Sequence, residues 1–262
     1  GEVNVLREAV RITGEAHKAA MQITRPGLME YELEAIIDYR FRSLGGNGAG
    51  YTTIVGTGSN ACVLHYVAAK AELKPGELVL VDAGCEYGWY TADVTRTWPV
   101  SGRFEGAGRD VYQVVLEANR AAIEAARVGQ TFRSLQDTAV GVLTQGMIDL
   151  GILQGDLDTL VEEKAYRAYY MHNIGHWLGL DVHDAGIYQM DGKSRLLEPG
   201  MVLTIEPGLY LPATDESLPE AFRGIGVRLE DDVLVTESGP DILTREIPIT
   251  MEEVEACMSQ SS

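Results

Sequence analysis

Two stretches of this chain carry the same phrase. KPGELVLVDAG at residues 74–84 returns as EPGMVLTIEPG at residues 198–208, with Pro-Gly, an apolar run, an acid and a glycine in one register. The repetition reaches well beyond the phrase. Val5, Leu6, Ala9, Val10, Ala16, Ala20 and Met21 recur at helical spacing and predict a helix that ends near Arg25-Pro26-Gly27. Leu33, Ile36, Ile37, Phe41 and Leu44 predict a second helix over 30–44, stopped by Gly45-Gly46. Runs rich in β-branched and aromatic residues then predict strands over 52–55, 78–82 and 91–100. After Gly108 the order starts again. Helices are predicted over 111–127 and 134–150, the second opened by a Ser134/Asp137 capping box, and a strand over 201–205 answers the one at 77–81. The joints match as well: Arg25-Pro26-Gly27 precedes Leu33 as Arg127-Val128-Gly129 precedes Leu135.

Two copies of about a hundred residues are too few to stack as a solenoid, so a fused pair sharing one core is the simpler architecture. Its halves would span about residues 4–104 and 109–250 and meet about a pseudo-two-fold axis. Glycines and prolines are spread along all 262 residues, with no linker-like cluster, so one catalytic-size unit over 1–262 is expected.

The duplication places acids at matching points. Asp82 ends the first phrase as Glu206 ends the second; Asp93 in DVTRTWPVSG and Glu230 in EDDVLVTESG each precede a glycine by nine residues. Most lone acids face water. Here the runs Leu-Val-Leu-Val before Asp82 and Val-Leu-Thr-Ile before Glu206 lead toward a core instead. Four carboxylates gathered in a partly buried pocket raise one another's pKa values and need shared protons or cations. Two divalent ions would cancel the four charges.

Histidines cluster on the same framework: His65 in VLHY, and His172, His176 and His183 in MHNIGHWLGLDVHD. A stacked pair on a helix is the ordinary alternative for His172 and His176, but Gly175 and Gly179 make a long helix there unfavourable. His17, in GEAHKAAM, reads as a solvated residue of a surface helix. Oxygen-rich ligation with an imidazole suits manganese, cobalt or iron (Mn2+, Co2+, Fe2+) better than a thiolate-type zinc site, although Zn2+ is compatible. A two-metal centre holds its ions roughly 3.5–4 Å apart, acidifies the water between them and polarises a carbonyl, so hydrolysis is the natural chemistry.

Composition narrows the partners. With 39 acidic against 21 basic residues the formal charge is −18, which repels nucleic-acid backbones and anionic membrane surfaces alike. No nucleic acid and no membrane partner is expected. Three cysteines without a C-x-x-C spacing argue against a disulfide framework and a zinc knuckle, and imply a reducing compartment. No apolar run approaches about twenty residues, and a cytoplasmic location is expected. A start at Gly1 rather than methionine suggests a processed or truncated chain.

VDAGCEYGWYTADVTRTWPV, MHNIGHWLGLDVHD, LEPGMVLTIEPGLY and RGIGVRLEDDVLVT follow one another in an order that resembles the catalytic domain of Xaa-Pro aminopeptidases (aminopeptidase P), within the creatinase and methionine aminopeptidase group. The resemblance covers nearly the whole chain. It implies the pita-bread fold, a duplicated α+β domain of antiparallel sheets flanked by helices, with a dinuclear centre that is usually manganese. Asp82, Asp93, His176, Glu206 and Glu230 would be the five ligands, Asp93 and Glu230 bridging both ions around a nucleophilic hydroxide, and Glu206 helping to move the proton. His65 and His183 would contact substrate near the scissile bond, His172 would line the cleft, and Arg228 would stand beside the metals. The ordinary alternatives are a structural ion pair for Arg228, which would face the same way as Glu230 on a strand, and packing support for His172. Tyr210, two residues beyond Gly208, is a further candidate for the pocket, and Cys85 reads as core filling. The implied substrates are peptides with proline at position 2. A prolidase restricted to Xaa-Pro dipeptides would share the ligand set; a metal-free amidinohydrolase or a non-catalytic binding module of the same fold would normally lack part of it. The resemblance also implies an upstream domain, to which nothing in this sequence corresponds, and a homo-oligomer, dimer or tetramer.

Overall fold

The computed structural model describes residues 1–260. Helix α1 (Glu2–Ile23) and helix α2 (Glu30–Ser43) come first, as the apolar spacing predicts. α1 stops where Thr24 takes extended backbone (ψ 126°), and Pro26 two residues later could not rejoin the ladder. Helices α3 (Gly106–Ala125) and α4 (Phe132–Asp149) repeat the pair. The cap of α4 differs from the predicted Ser134/Asp137 box. Thr131 Oγ1 accepts from the Ser134 amide and Ser134 Oγ accepts from the Thr131 amide, each at 3.0 Å. Burial of Phe132 draws the helix start forward, so Thr131 holds the non-helical backbone that a cap needs, and Asp137 pairs instead with Arg133.

Strands β1 (Ile54–Thr57), β2 (Leu78–Asp82) and β3 (Thr95–Pro99) form one antiparallel sheet, with Ile54 opposite Asp82 and Asp82 opposite Thr95. The single strand predicted over 91–100 is divided. Tyr90–Thr91 closes a hairpin on Cys85–Tyr87, and only from Thr95 does the chain run beside β2. Ala92 donates to Cys85 and Ala83 to Val94, so Asp93 sits where the chain changes partner. In the second half, β4 (Val202–Ile205) pairs with β7 (Asp231–Thr236), which also pairs with β8 (Gly239–Ile242); β5 (Gly208–Leu211) pairs with β6 (Ile225–Arg228).

The duplication is visible in the hydrogen bonds. Gly27 donates to the Leu73 carbonyl (3.0 Å) and Gly129 to the Leu197 carbonyl (2.9 Å). Gly76 and Gly200, in the turns entering β2 and β4, have φ of 82° and 91°, the left-handed region that explains a glycine at both places. Beside β2 lies β1; beside β4 lies an extended segment in which Glu206 donates to Ile174 (2.8 Å) and Thr204 to His176 (2.9 Å). His176 therefore rides on an extended edge, not on a helix. A single apolar cluster contains Phe41, Val81 and Trp98 from one half and Val115, Leu143 and Leu229 from the other. Cys85 is buried in it, as core filling. Among the described residues, no helix is long and apolar enough to cross a membrane.

A buried ion pair stitches the halves under the sheets. Arg96 of β3 reaches Asp231 of β7 at 2.7 Å, and its other donors bond the carbonyls of Glu230 (2.6 Å) and Pro248 (3.0 Å). Asp231 also accepts from Thr244 (2.5 Å) and Asn119 (3.1 Å). Removing one member would strand a desolvated charge. Asp231→Ala is expected to destabilise the fold by about 3–5 kcal/mol in a denaturant titration, whereas an apolar exchange of both Arg96 and Asp231 should cost less than that single change.

His17 overturns its sequence reading. It is fully buried on the face of α1 that also buries Thr13, Ala16 and Ala20, with Nε2 donating to the Ala83 carbonyl at 3.1 Å and Trp98 against its ring. A histidine among alanines looks polar in sequence, yet it lies one position from Ala16 on the inward stripe. Burial pushes its pKa down to about 4. Below the ordinary histidine pKa of 6.5 the unfolded chain takes up a proton that the folded chain refuses until about 4, so this contribution to stability is lost as pH falls through that window. Going from about pH 7 to about pH 4.5, wild-type protein should lose about 2–3 kcal/mol more stability than His17→Gln, read from denaturation midpoints at the two pH values.

Candidate metal centre

A cavity of about 580 Å³ is lined by residues from both halves of the chain. Its lining includes Asp82 and Asp93 from the first half and Glu206 and Glu230 from the second, with His65, His172, His176, His183 and Arg228 around them. Asp82 is the last residue of β2, Glu206 follows β4, and Glu230 lies between β6 and β7. Of the ten predicted positions only Tyr210 is absent from the lining. It is fully buried and holds two of the others from behind, accepting from Arg228 at 3.1 Å and lying 2.8 Å from His172 Nε2.

The tightest group is Asp93, His176 and Glu230, whose ligand atoms lie within 4.8 Å of one another. His176 Nε2 is 3.2 Å from Asp93 Oδ2 and 3.5 Å from Glu206 Oε1. Its Nδ1 is 3.0 Å from the Trp177 carbonyl; donation there leaves the Nε2 lone pair aimed into the acids, the tautomer a metal ligand needs. Asp82 is held by Arg228 at 2.6 Å. The Tyr51 hydroxyl lies 2.6 Å from both Asp82 Oδ1 and Asp93 Oδ1, and one phenolic proton cannot serve two carboxylates. The second contact calls for a proton or a cation.

The electrostatics carry the same sign. Glu230 is held well above the ordinary carboxylate range, first by burial and then by the charges of Asp93, Glu206 and Asp82. Burial also lifts Asp93, against its bond to His176. Glu206 is pushed up to about 7 by burial, with His176 opposing. Burial alone would lower His176, but Asp93 and Glu206 outweigh it and raise it to about 9. His172 goes the other way, to about 4, through burial and then Arg228. This pocket is short of positive charge and rich in oxygen donors, so the residues present fit divalent cations.

Supporting groups fix the acids. Thr95 Oγ1 donates to Glu230 at 2.6 Å and accepts from Arg228 Nε at 3.1 Å, while Thr204 Oγ1 approaches Glu206 at 3.4 Å. Arg228 is thus both an ion pair and part of the cavity wall. His172 lines the wall and sits 3.8 Å from Glu206. His65 and His183 are exposed at the mouth, the His183 ring lying 4.1 Å from that of His176.

Sequence reading missed Tyr51 and Asp232. Nothing in GAGYTT marks Tyr51, which is brought to the acids only by tertiary packing. Asp232 is fully buried, accepts from the Asp93 amide at 3.2 Å and leaves Oδ1 without a partner. The acidic run Glu230-Asp231-Asp232 leading directly into an apolar Val-Leu-Val was a legible signal for it.

Comparison with known proteins follows the same lines. The model for metallopeptidase family M24 matches residues 4–237. The chain is 48% identical over 257 residues to an Xaa-Pro aminopeptidase of Escherichia coli (strain K12), covering 98% of this chain and 58% of that protein. It is 38% identical over 261 residues to Xaa-Pro aminopeptidase 3 of Homo sapiens, covering 51% of it. The structure of Pseudomonas aeruginosa aminopeptidase PepP superposes with a TM-score of 0.97 at 46% identity, over 99% of this chain and 59% of that one. Zinc-substituted E. coli aminopeptidase P in complex with product gives 0.96 at 47% identity, over 100% and 59%. The chain therefore spans between half and three fifths of the length of these relatives. Helices packed on small antiparallel sheets, together with these superpositions, establish the α+β pita-bread fold.

Tyr51 gives a direct test of the centre. Tyr51→Phe keeps the ring and removes only the hydroxyl between Asp82 and Asp93; divalent-metal affinity, measured by calorimetric titration, is expected to fall roughly 10–100-fold with the fold intact.

Proposed function

This chain belongs to metallopeptidase family M24, and on that premise we propose that it releases the N-terminal residue from peptides whose second residue is proline. The observation that carries the proposal is the meeting of Asp82, Asp93, Glu206 and Glu230 with an oriented His176 under a cavity rimmed by three more histidines. These five residues would hold two divalent ions, manganese before cobalt, iron or zinc, with Asp93 and Glu230 shared between them. When bound, the ions supply Lewis acidity: they neutralise the carboxylates, acidify water and polarise the scissile carbonyl.

The chain's own groups do the rest. Glu206 is placed to accept a proton and return it to the leaving amine. His65 and His183, at the mouth, donate toward the carbonyl oxygen as charge builds on it. Carboxylates on the floor attract the free α-ammonium of the substrate. Ile54, Leu64, Val67 and Val182 provide apolar wall for a pyrrolidine ring. Proline offers no N–H at the scissile bond, so recognition must come from ring contact and carbonyl polarisation rather than from an amide donor. That combination of walls and donors supports the proline-specific reading, as does the likeness to proteins named Xaa-Pro aminopeptidase.

Three variants separate the roles. Asp93→Ala or Glu230→Ala should lose bound metal and activity together, while His65→Ala should keep its metal and lose about 10²–10³-fold in kcat. Metal analysis beside release of the first residue from Xaa-Pro-Yaa peptides reads both; equal metal loss in all three would refute the assignment. Manganese-loaded, folded protein is expected to cleave tripeptides and longer peptides. Cleavage of Xaa-Pro dipeptides alone would make it a dipeptidase, and no cleavage of either would leave a binding module.

A further inference from the structure

Glu30 is fully buried yet does not line the cavity. It is the first residue of α2, and its carboxylate takes four hydrogen bonds. Oε1 accepts from the Thr57 amide (2.8 Å) and Asn60 Nδ2 (2.9 Å); Oε2 accepts from the Tyr66 hydroxyl (2.9 Å) and the Ala71 amide (2.8 Å). All four donors belong to the segment 57–71, and His65 lies between the two pairs. Residues 63–71 form neither helix nor strand, and Ala69 has a φ of 45°, unusual for a residue other than glycine. No ladder shapes this loop. One carboxylate ties it down on both sides of the histidine, through charge-assisted bonds that the N-terminus of α2 reinforces.

The duplication supplies an independent comparison. Met29 bridges to Glu72 just before Glu30, and Thr131 bridges to Leu196 just before Phe132, so Phe132 occupies the matching place in the second half. Phe132 packs on Trp177 (ring centroids 4.6 Å apart) and Tyr188 (5.1 Å). Those two residues bound the stretch that follows His176 and carries His183. The same position braces a histidine-bearing segment in each half, by charge in one and by aromatic packing in the other.

We propose that Glu30 is a positioning residue that latches the 57–71 loop and thereby presents His65 at the cavity mouth. Its catalytic consequence rests on the reading of His65 as a substrate contact. Glu30→Gln preserves shape but sets an amide NH2 against a backbone N–H whichever way it turns, that of Thr57 or that of Ala71, and a backbone N–H can only donate. The variant is expected to keep its metal, to lose roughly 10–100-fold in kcat/KM mainly through kcat, and to show faster amide exchange over 57–71 with 78–82 and 202–205 still protected. In a His65→Ala background the same change should alter kcat/KM by less than about twofold, because its effect passes through that side chain. Tyr66→Phe, which removes one donor and leaves the carboxylate in place, should give a smaller loss in the same sense, likewise absent without His65. Losses that multiply with His65→Ala, or unchanged exchange in the loop, would overturn the proposal. Full turnover by His65→Ala alone would refute the role of His65, and with it the catalytic purpose of the latch, while loop exchange in Glu30→Gln still decides whether the latch exists.

Discussion

The structure is organised around desolvated negative charge. Asp93 and Glu230 are almost completely buried, Asp82 and Glu206 are partly buried, and each sits within reach of the others' fields. Such a group is tolerable only where positive charge is brought to it, because an unpaired ion loses more on leaving water than any nearby dipole returns. Arg228 and His176 supply part of that charge. The remaining deficit, seen in the raised carboxyl pKa values of acids whose ligand atoms converge, is what makes the pocket a candidate cation site.

Placing acids from two halves in one pocket demands a rigid joint, and the joint has its own charge. Arg96 reaches from β3 to Asp231 of β7 and to the carbonyl of Glu230, so the backbone beneath a candidate ligand is gripped by a guanidinium from the opposite half. Above it, the Glu230 amide bonds the Thr95 carbonyl and Thr97 bonds the Arg228 carbonyl. These groups are buried by partners drawn from both halves.

The two halves are alike in backbone and unlike in chemistry. Matching glycine turns and matching bonds at Gly27 and Gly129 preserve the frame, whereas Glu30 and Phe132 occupy one position with opposite character. The divergence falls where the cavity needs asymmetry. One side carries a loop with His65 at the mouth, and the other an extended edge with His176 inside and His183 outside.

Much of this was legible in the residue order. The helical stripes, strand 78–82 and the repeat itself are recorded in local periodicity, because each element must bury one face wherever it lies. The paired phrases also marked Asp82 and Glu206, since a carboxylate ending an apolar strand at two equivalent places is a regularity that a folded duplication preserves. Other features depended on partners far away in the chain. His17 looked solvated because its acceptor, the Ala83 carbonyl, belongs to another element; the strand at 91–100 divided because its ends pair with different neighbours; Tyr51 and the four-fold bonding of Glu30 leave no periodic trace. Residue order alone determined which elements form and which acids recur in register. Tertiary structure decided which of them are desolvated and what each one touches, because burial and hydrogen bonding are set by long-range contacts that no local pattern encodes.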